Sequence, residues 1–306
     1  MKDIKFVAEF TTNPMGHFKL LLKMVSSAAQ AGCSYIKMQK KDVKTFYTSE
    51  KLVQPFDSPF GKTYGEYREL FEFDKQEFIQ FDKECKKYNI PWFSTIQDIP
   101  SLLFLLDFDL PIYKIASTNL RNEEIFREIV KRVPISKKIV ISTAGATINE
   151  IDNAVELLKS FNKLTILHCV AEYPCTPENC KLGNITELIN RYKNLKNIEI
   201  GYSGHEEGYL PSLVAVGLGA KMVERHFCIS RKSFVHHIEC SLEPNEYNEL
   251  ISIINKTTIA EELLAYKDML PPYALVSKFD MSDKEKDFLI EQKYGTKYLK
   301  QGTVTF

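Results

Sequence analysis

Eight short β-type runs alternate with longer helical patterns along this chain, and no other feature constrains its fold as strongly. The runs are IKFVAEF (4–10), SYIKM (34–38), IPWFST (90–95), PIYKIAS (111–117), KIVIST (138–143), LTILHC (164–169), IEIGYS (198–203) and AKMVERHF (220–227). Between them, apolar residues recur at three- and four-residue spacing, as in 17–32, 123–133, 148–161 and 210–220. Gly32 and Gly219 fall where helix C-caps are expected. Regular alternation argues for a parallel sheet. Eight such units close into a (β/α)8 barrel, the TIM-barrel architecture, whose usual size is about 250 residues. The alternative is an open doubly wound sheet, but no Gly-rich dinucleotide loop follows the first run. A further helical pattern spans 244–267. We therefore expect a barrel domain over 1–270 and a C-terminal extension, 271–306, too short for a core of its own.

Composition narrows the function. The 306 residues are 44% hydrophobic, and Lys plus Arg equals Asp plus Glu at 40 each. That neutral balance gives no electrostatic case for nucleic acid or an anionic membrane, although it leaves room for a local basic pocket. No apolar run nears the ~20 residues that a membrane span requires. The seven cysteines are odd in number and no apolar leader precedes them, so reduced thiols in the cytoplasm are expected.

In such a barrel the active site is built at the C-terminal ends of the strands. Those ends carry Glu9; Lys37 and Gln39; Ser94 and Thr95; Lys114 and Ser117; Ser142 and Thr143; His168 and Cys169; Ser203 and His205; and Glu224, Arg225 and His226. Any single hydroxyl there is explained by wet strand ends. Two lysines inside apolar strands are not, because burying an ammonium without a partner is costly. Each needs a carboxylate or a bound anion, which argues for a pocket that takes a phosphate-bearing carboxylic acid. The seventh and eighth strands are neighbours in a closed barrel, so His205 and His226 can meet. Two imidazoles at one mouth suit a borderline divalent ion with open positions for substrate, or they are simply hydrogen-bonded rim histidines.

The blocks VAEFTTNPMG, AGCSYIKMQ, WFST, YKIAST, VISTAG, LHCVAEYP, GYSGH, VERHF and CSLEP, in that order, resemble the N-acetylneuraminate (sialic acid) synthase family over about residues 5–250. The resemblance implies an enzyme that condenses phosphoenolpyruvate with an amino-sugar aldehyde, N-acetylmannosamine or a related hexose derivative, to a nonulosonic α-keto acid. It implies that His205 and His226 hold a divalent metal, Mn2+ first, with Mg2+ or Co2+ as alternatives. It places Lys37, Thr95, Lys114, Ser117, Ser142 and Ser203 around the donor's carboxylate and phosphate, and Glu9, Gln39 and Tyr173 before the sugar. Glu9 is either a proton acceptor or a ligand for a sugar hydroxyl. A homodimer is a further expectation.

The chain departs from that family at several positions. Thr118 and Asn119 stand where Gly and Glu are usual, Ala171 where Asn or Ser is usual, and Gly204 where Asp is usual. His237 aligns with an Asp that contacts sugar hydroxyls, and an imidazole offers one donor and one acceptor where a carboxylate accepts twice. We expect Asn119 and His237 to face substrate, and no C-terminal antifreeze-like domain. The donor half thus matches and the acceptor half is rewritten. Two other readings follow: a synthase of a different keto-sugar acid, or an impaired relative that binds a ligand for assembly. His168 is either a supporting group at the rim or core, His236 is a candidate third ligand, His17 a helix cap and Trp92 core.

Overall fold

The computed structural model describes residues 3–290 and 292. Its strands are β1 (Lys5–Glu9), β2 (Tyr35–Lys40), β3 (Pro55–Ser58), β4 (Gly61–Thr63), β5 (Trp92–Ile96), β6 (Ile112–Ile115), β7 (Lys138–Ser142), β8 (Lys163–Cys169), β9 (Ile198–Gly204) and β10 (Met222–His226). Eight of them close in the order β1-β10-β9-β8-β7-β6-β5-β2, all pairs parallel. The expected barrel is therefore present and the open sheet is ruled out, with each strand end within two residues of its expected place.

Side-chain alternation builds the interior in layers. Val7, Phe93, Ile112, Val140, Leu167 and Met222 form an apolar cluster inside the barrel, with Tyr35 packed against it. Two residues further along the same strands stand Glu9, Thr95, Lys114, Ser142, Cys169, Glu224 and Lys37. The alternate positions face outward and meet the helices in one large core that includes Ala8, Ile36, Met38, Trp92, Ile115, Ile141, Ile166 and Val223. Burying each of the Ile, Val and Met side chains among them contributes about 1.5–3 kcal/mol relative to exposure. Trp92 is one of these outward residues; its ring packs on Phe81 at 5.1 Å and Nε1 donates to Asp82 at 2.9 Å.

Helix ends follow local chemistry. His17 caps the helix Phe18–Gln30 by accepting from Leu20 N. Gly32 and Gly219 lie just past helix ends at φ 88° and 111°, a region that glycine enters without Cβ strain. The helical pattern at 244–267 is broken. Pro244–Lys256 is one helix; Thr257 turns extended, and Ala260–Leu264 and Ala265–Met269 follow as short pieces. The hairpin β3–β4 is an addition that the sequence did not announce, because its residues are half exposed and carry no alternating apolar pattern.

The described part of the extension lies against the barrel mouth. Leu182 N donates to Ala274 O, and Asn184 binds the backbone of Lys278 on both sides. Glu285, in the helix Asp283–Ile290, accepts from Ala171 N at 2.9 Å and Ser282 N at 2.9 Å. Residues 291 and 293–306 of the expected extension lie outside the described residues.

Candidate active site

The two strand lysines share a single acceptor. Lys37 Nζ and Lys114 Nζ lie 2.7 and 2.6 Å from Glu224 Oε1, and Ser203 Oγ donates to the same oxygen at 3.1 Å. Lys37 also sits 2.6 Å from Glu9 Oε2. Burial lowers the Lys37 ammonium to about 7, with Glu224 opposing that shift and Lys114 reinforcing it. Burial raises the Glu224 carboxyl, but Lys114 and Lys37 outweigh it and hold the group down at about 2. Glu224 was expected at the end of the eighth strand but was given no role in the site. Its signal was the alternation Met222–Glu224–His226, which turns the carboxylate inward with the imidazole.

Above this cluster is a cavity of about 100 Å³ lined by Lys37, Gln39, Thr95, Lys114, Ser117, Ser142, Tyr173, Ser203, His205 and His226, among others. Four buried atoms on its wall have no hydrogen-bond partner: Thr95 Oγ1, Gln97 Oε1, Thr118 Oγ1 and Glu224 Oε2. Buried polar atoms are normally satisfied, so this wall is built for a polar occupant. Asn119 does not join it. The turn Ser117–Asn119 carries its amide under β5, where Nδ2 donates to Gln97 O at 2.8 Å, and this corrects the expectation that it faces substrate. Glu9 Oε1 accepts from Thr11 N and from Gln39 Nε2, both at 2.9 Å, which fixes the carboxylate and amide side by side.

His205 and His226 do meet. Their ring centroids are 5.3 Å apart with the planes at 78°. His205 Nδ1 lies 2.6 Å from the carbonyl of Val170, so Nδ1 carries the hydrogen and Nε2 keeps a lone pair. Cys240 commits its S–H to His237 O at 3.0 Å, and its sulfur lies 3.5 Å from His226 Nδ1. Burial lowers His205 to about 3 and puts His226 well below the usual imidazole value. Two neutral imidazoles with such second-sphere partners fit a borderline divalent cation. Among the described residues, no group of three His, Cys, Asp or Glu converges with ligand spacing, so protein donors beyond the pair are not supplied. His236 is not beside the pair; its ring packs on Tyr67 at 5.1 Å and Phe56 at 5.4 Å. His168 points outward and holds Cys180 O at 2.7 Å, which makes it core.

Behind the imidazoles lies a fully buried ion pair. Arg225 Nη1 donates to Glu206 Oε1 at 2.7 Å, and Nη2 to Glu206 O at 2.5 Å and Cys240 O at 3.3 Å. Tyr202 and Ser212 complete the carboxylate's shell. Each partner is the chain neighbour of a site histidine, so the pair ties the ends of β9 and β10 together. It also explains Gly204. A Cβ there would lie 2.4 Å from Glu206 Oε2, so the carboxylate of Glu206 occupies the space of a side chain at 204.

A second, wider pocket of about 460 Å³ opens beyond Tyr173 and His226. Tyr173 stacks between His205 and His237, at centroid distances of 4.3 and 4.2 Å. His237, at φ 63°, lines this pocket, and burial lowers its imidazole to about 4. The far wall carries Lys41, Tyr47 and Arg68, none of which the sequence reading had singled out.

A closed eight-stranded parallel barrel with buried lysines, a shared carboxylate and paired imidazoles at its C-terminal mouth defines a (β/α)8 enzyme of the kind that handles small anionic substrates. The comparisons narrow this. The NeuB family profile matches residues 24–263, and the chain belongs to that family of sialic acid synthase-like transferases. It is 32% identical to the N-acetylneuraminate-9-phosphate synthase of Drosophila melanogaster over 94% of this chain and 75% of that one. It is 29% identical to the N,N'-diacetyllegionaminic acid synthase of Campylobacter jejuni over 84% and 77%. The crystal structure of N-acetylneuraminic acid synthetase from Leptospira borgpetersenii, in complex with citrate, superposes with a TM-score of 0.72 at 26% identity, covering 94% of this chain and 91% of that one. Among the described residues, no helix is long and apolar enough to cross a membrane.

Proposed function

We propose that this enzyme condenses phosphoenolpyruvate with an amino-sugar aldehyde, N-acetylmannosamine or a related hexose derivative, to give a nonulosonic α-keto acid and phosphate. The observation that carries the reading is the juxtaposition in one cavity of two ammonium groups on a shared carboxylate and two neutral imidazoles. Lys37 and Lys114 neutralise the anionic donor, and the hydroxyls of Thr95, Ser117, Ser142 and Ser203 orient its carboxylate and phosphate. Gln39 lines both pockets and meets the acceptor's hydroxyls, while Glu9, buried beneath it, holds the Gln39 amide in place. Tyr173, packed on two imidazoles, separates the donor cavity from the outer pocket and limits water.

Carbon 3 of the donor forms the new bond to the aldehyde carbon. Water adds to carbon 2, and its proton balances the alkoxide left on the acceptor. The adduct loses inorganic phosphate by C–O cleavage, leaving the keto acid. Holding the reactants in line supplies about 7–11 kcal/mol of barrier reduction. A divalent ion on His205 and His226, for which Mn2+ is the first choice, supplies polarisation of the acceptor carbonyl when bound. The test is phosphate release from phosphoenolpyruvate with Mn2+ and a panel of aldoses. Acceptor-dependent release is expected; release with no member of the panel overturns the assignment.

A further inference from the structure

We propose that Glu285, on the helix Asp283–Ile290 of the C-terminal extension, is a positioning residue for the His205 imidazole, acting through the peptide group that joins Val170 to Ala171. Its consequence for a metal rests on the reading of His205 as a ligand; the connection itself rests on geometry alone. His205 Nδ1 donates to Val170 O at 2.6 Å. Ala171 N donates to Glu285 Oε1 at 2.9 Å. That carbonyl and that N–H belong to one planar, trans peptide unit, so they point to opposite sides of it. An imidazole thus sits on one side of the unit and a carboxylate on the other. Holding the N–H fixes the direction of the carbonyl. Hydrogen bonds in series also polarise one another, so the carboxylate makes Val170 O a stronger acceptor for the imidazole proton. A stronger acceptor on Nδ1 orients the ring and makes Nε2 a better electron-pair donor to a cation.

The surroundings mark the contact as built rather than incidental. Glu285 is 4% exposed, although Asp283 and Lys284 just before it are open to solvent. A carboxylate is costly to bury unless its oxygens are bonded. Its other oxygen, Oε2, accepts from Ser282 N at 2.9 Å, and Ser282 Oγ accepts from Glu285 N at 3.3 Å. This reciprocal capping fixes the side chain at the start of the helix. The helix is moored by its neighbours at the mouth. Lys181 pairs with Asp280, and Lys284 Nζ lies 3.7 Å from Glu172. Met281 Cε stands 3.0 Å from the place of a Cβ on Gly145. The loop that Glu285 supports holds His205 at three points. Val170 O takes its Nδ1 hydrogen, Cys175 N donates to its carbonyl at 2.8 Å, and the Tyr173 ring packs on it at 4.3 Å.

The test uses the metal-free enzyme with isotope-labelled histidine. In Glu285→Ala the His205 Nδ1–H proton resonance should move upfield and exchange faster with solvent, as its bond to Val170 O weakens. The Mn2+ dissociation constant, read by water-proton relaxation, should rise about 10-fold, the lower end for groups that act through a ligand. Glu285→Gln keeps an oxygen for Ala171 N and should fall between wild type and Glu285→Ala in both readouts. Glu285→Asp withdraws the carboxylate by one methylene and should shift both in the same direction, which carries the test if the alanine protein folds poorly. Asp283→Ala, which loses an exposed ion pair with Lys286 on the same helix, should leave both readouts in place; a shift there as large as in Glu285→Ala marks general loosening and overturns the proposal. So does a resonance that stays put in Glu285→Ala and Glu285→Asp, a loss of Mn2+ affinity without that shift, or a Glu285→Gln protein as altered as Glu285→Ala. If the resonance moves as expected but wild type binds no Mn2+, the metal reading fails and the linkage through the peptide stands.

Discussion

Gly204 and Glu206 offer a direct test of how the site is braced. Gly204 is not among the residues with positive φ, so its backbone admits other side chains. A side chain there must displace the Glu206 carboxylate, 2.4 Å from the place of a Cβ, and the edge of the Tyr202 ring, 2.7 Å from it. Glu206 and Arg225 are both fully buried. Glu206→Ala leaves the guanidinium without its carboxylate, and removing one partner of a buried pair costs about 3–5 kcal/mol. At roughly 2–4 °C per kcal/mol for a domain of this order, the melting temperature should drop by roughly 10 °C. Gly204→Asp alone forces a second carboxylate into an occupied space and should be similarly harmful. The double variant Gly204→Asp/Glu206→Ala returns one carboxylate to Arg225 from a position two residues earlier. Thermal unfolding of the four proteins then gives a coupling energy, and we expect a recovery of ~3 kcal/mol, the upper range for interacting residues. The Tyr202 ring strains both variants that carry Gly204→Asp and so cancels in the coupling energy; a coupling energy of zero would refute the idea that the two positions compete for one carboxylate site.

Other consequences are equally measurable. Because burial lowers the Lys37 ammonium to about 7, a negatively charged donor draws a proton onto it above that pH. Donor affinity should fall between pH 7 and 9 with proton uptake, seen by calorimetry in buffers of different ionisation enthalpy; a flat profile in wild type contradicts this, and Lys37→Arg should produce one. The unfolded chain holds that proton up to 10.5, so this group also makes stability rise with pH between about 7 and 10.5, which a melting series reads against Lys37→Met. Mn2+ added to the protein should enhance water-proton relaxation, and His205→Ala or His226→Ala should abolish the effect; persistence in both removes the imidazole pair as its ligands. His237→Asp should change the ranking of acceptors in the phosphate-release assay, and identical ranking would separate His237 from the sugar.

Much of this architecture was legible because β alternation is rigid. Once eight runs are placed, Lys37, Lys114, Thr95, Ser142 and Ser203 must share a layer, and His205 and His226 must be neighbours. What strand position alone could not supply was the direction of turns. Asn119 stands near a strand end, as Ser117 does, yet a single 3-10 turn sends it beneath β5. Glu224 was placed at the mouth, but its role as the shared acceptor of both lysines was masked by the charged run Glu224-Arg225-His226, whose middle member faces away from the mouth. Arg68 lies on the short helix Tyr64–Leu70 after an unpatterned hairpin, and only the folded path of 41–72 brings it over the cavity. The vacancy at Gly204 was visible as a departure, but its compensation by Glu206 depends on a side-chain conformation that no residue pattern encodes.

The stacking of Tyr173 between His205 and His237 has an engineering consequence. It stands between an inner chamber, where the strand residues Lys37, Thr95, Lys114, Ser142, Ser203 and Glu224 gather, and an outer vestibule lined largely by loops and by the helices around the mouth. Randomising Phe56, Tyr64 and His236, which line the outer vestibule and not the inner chamber, therefore varies the acceptor's surroundings at a distance from the strand lysines.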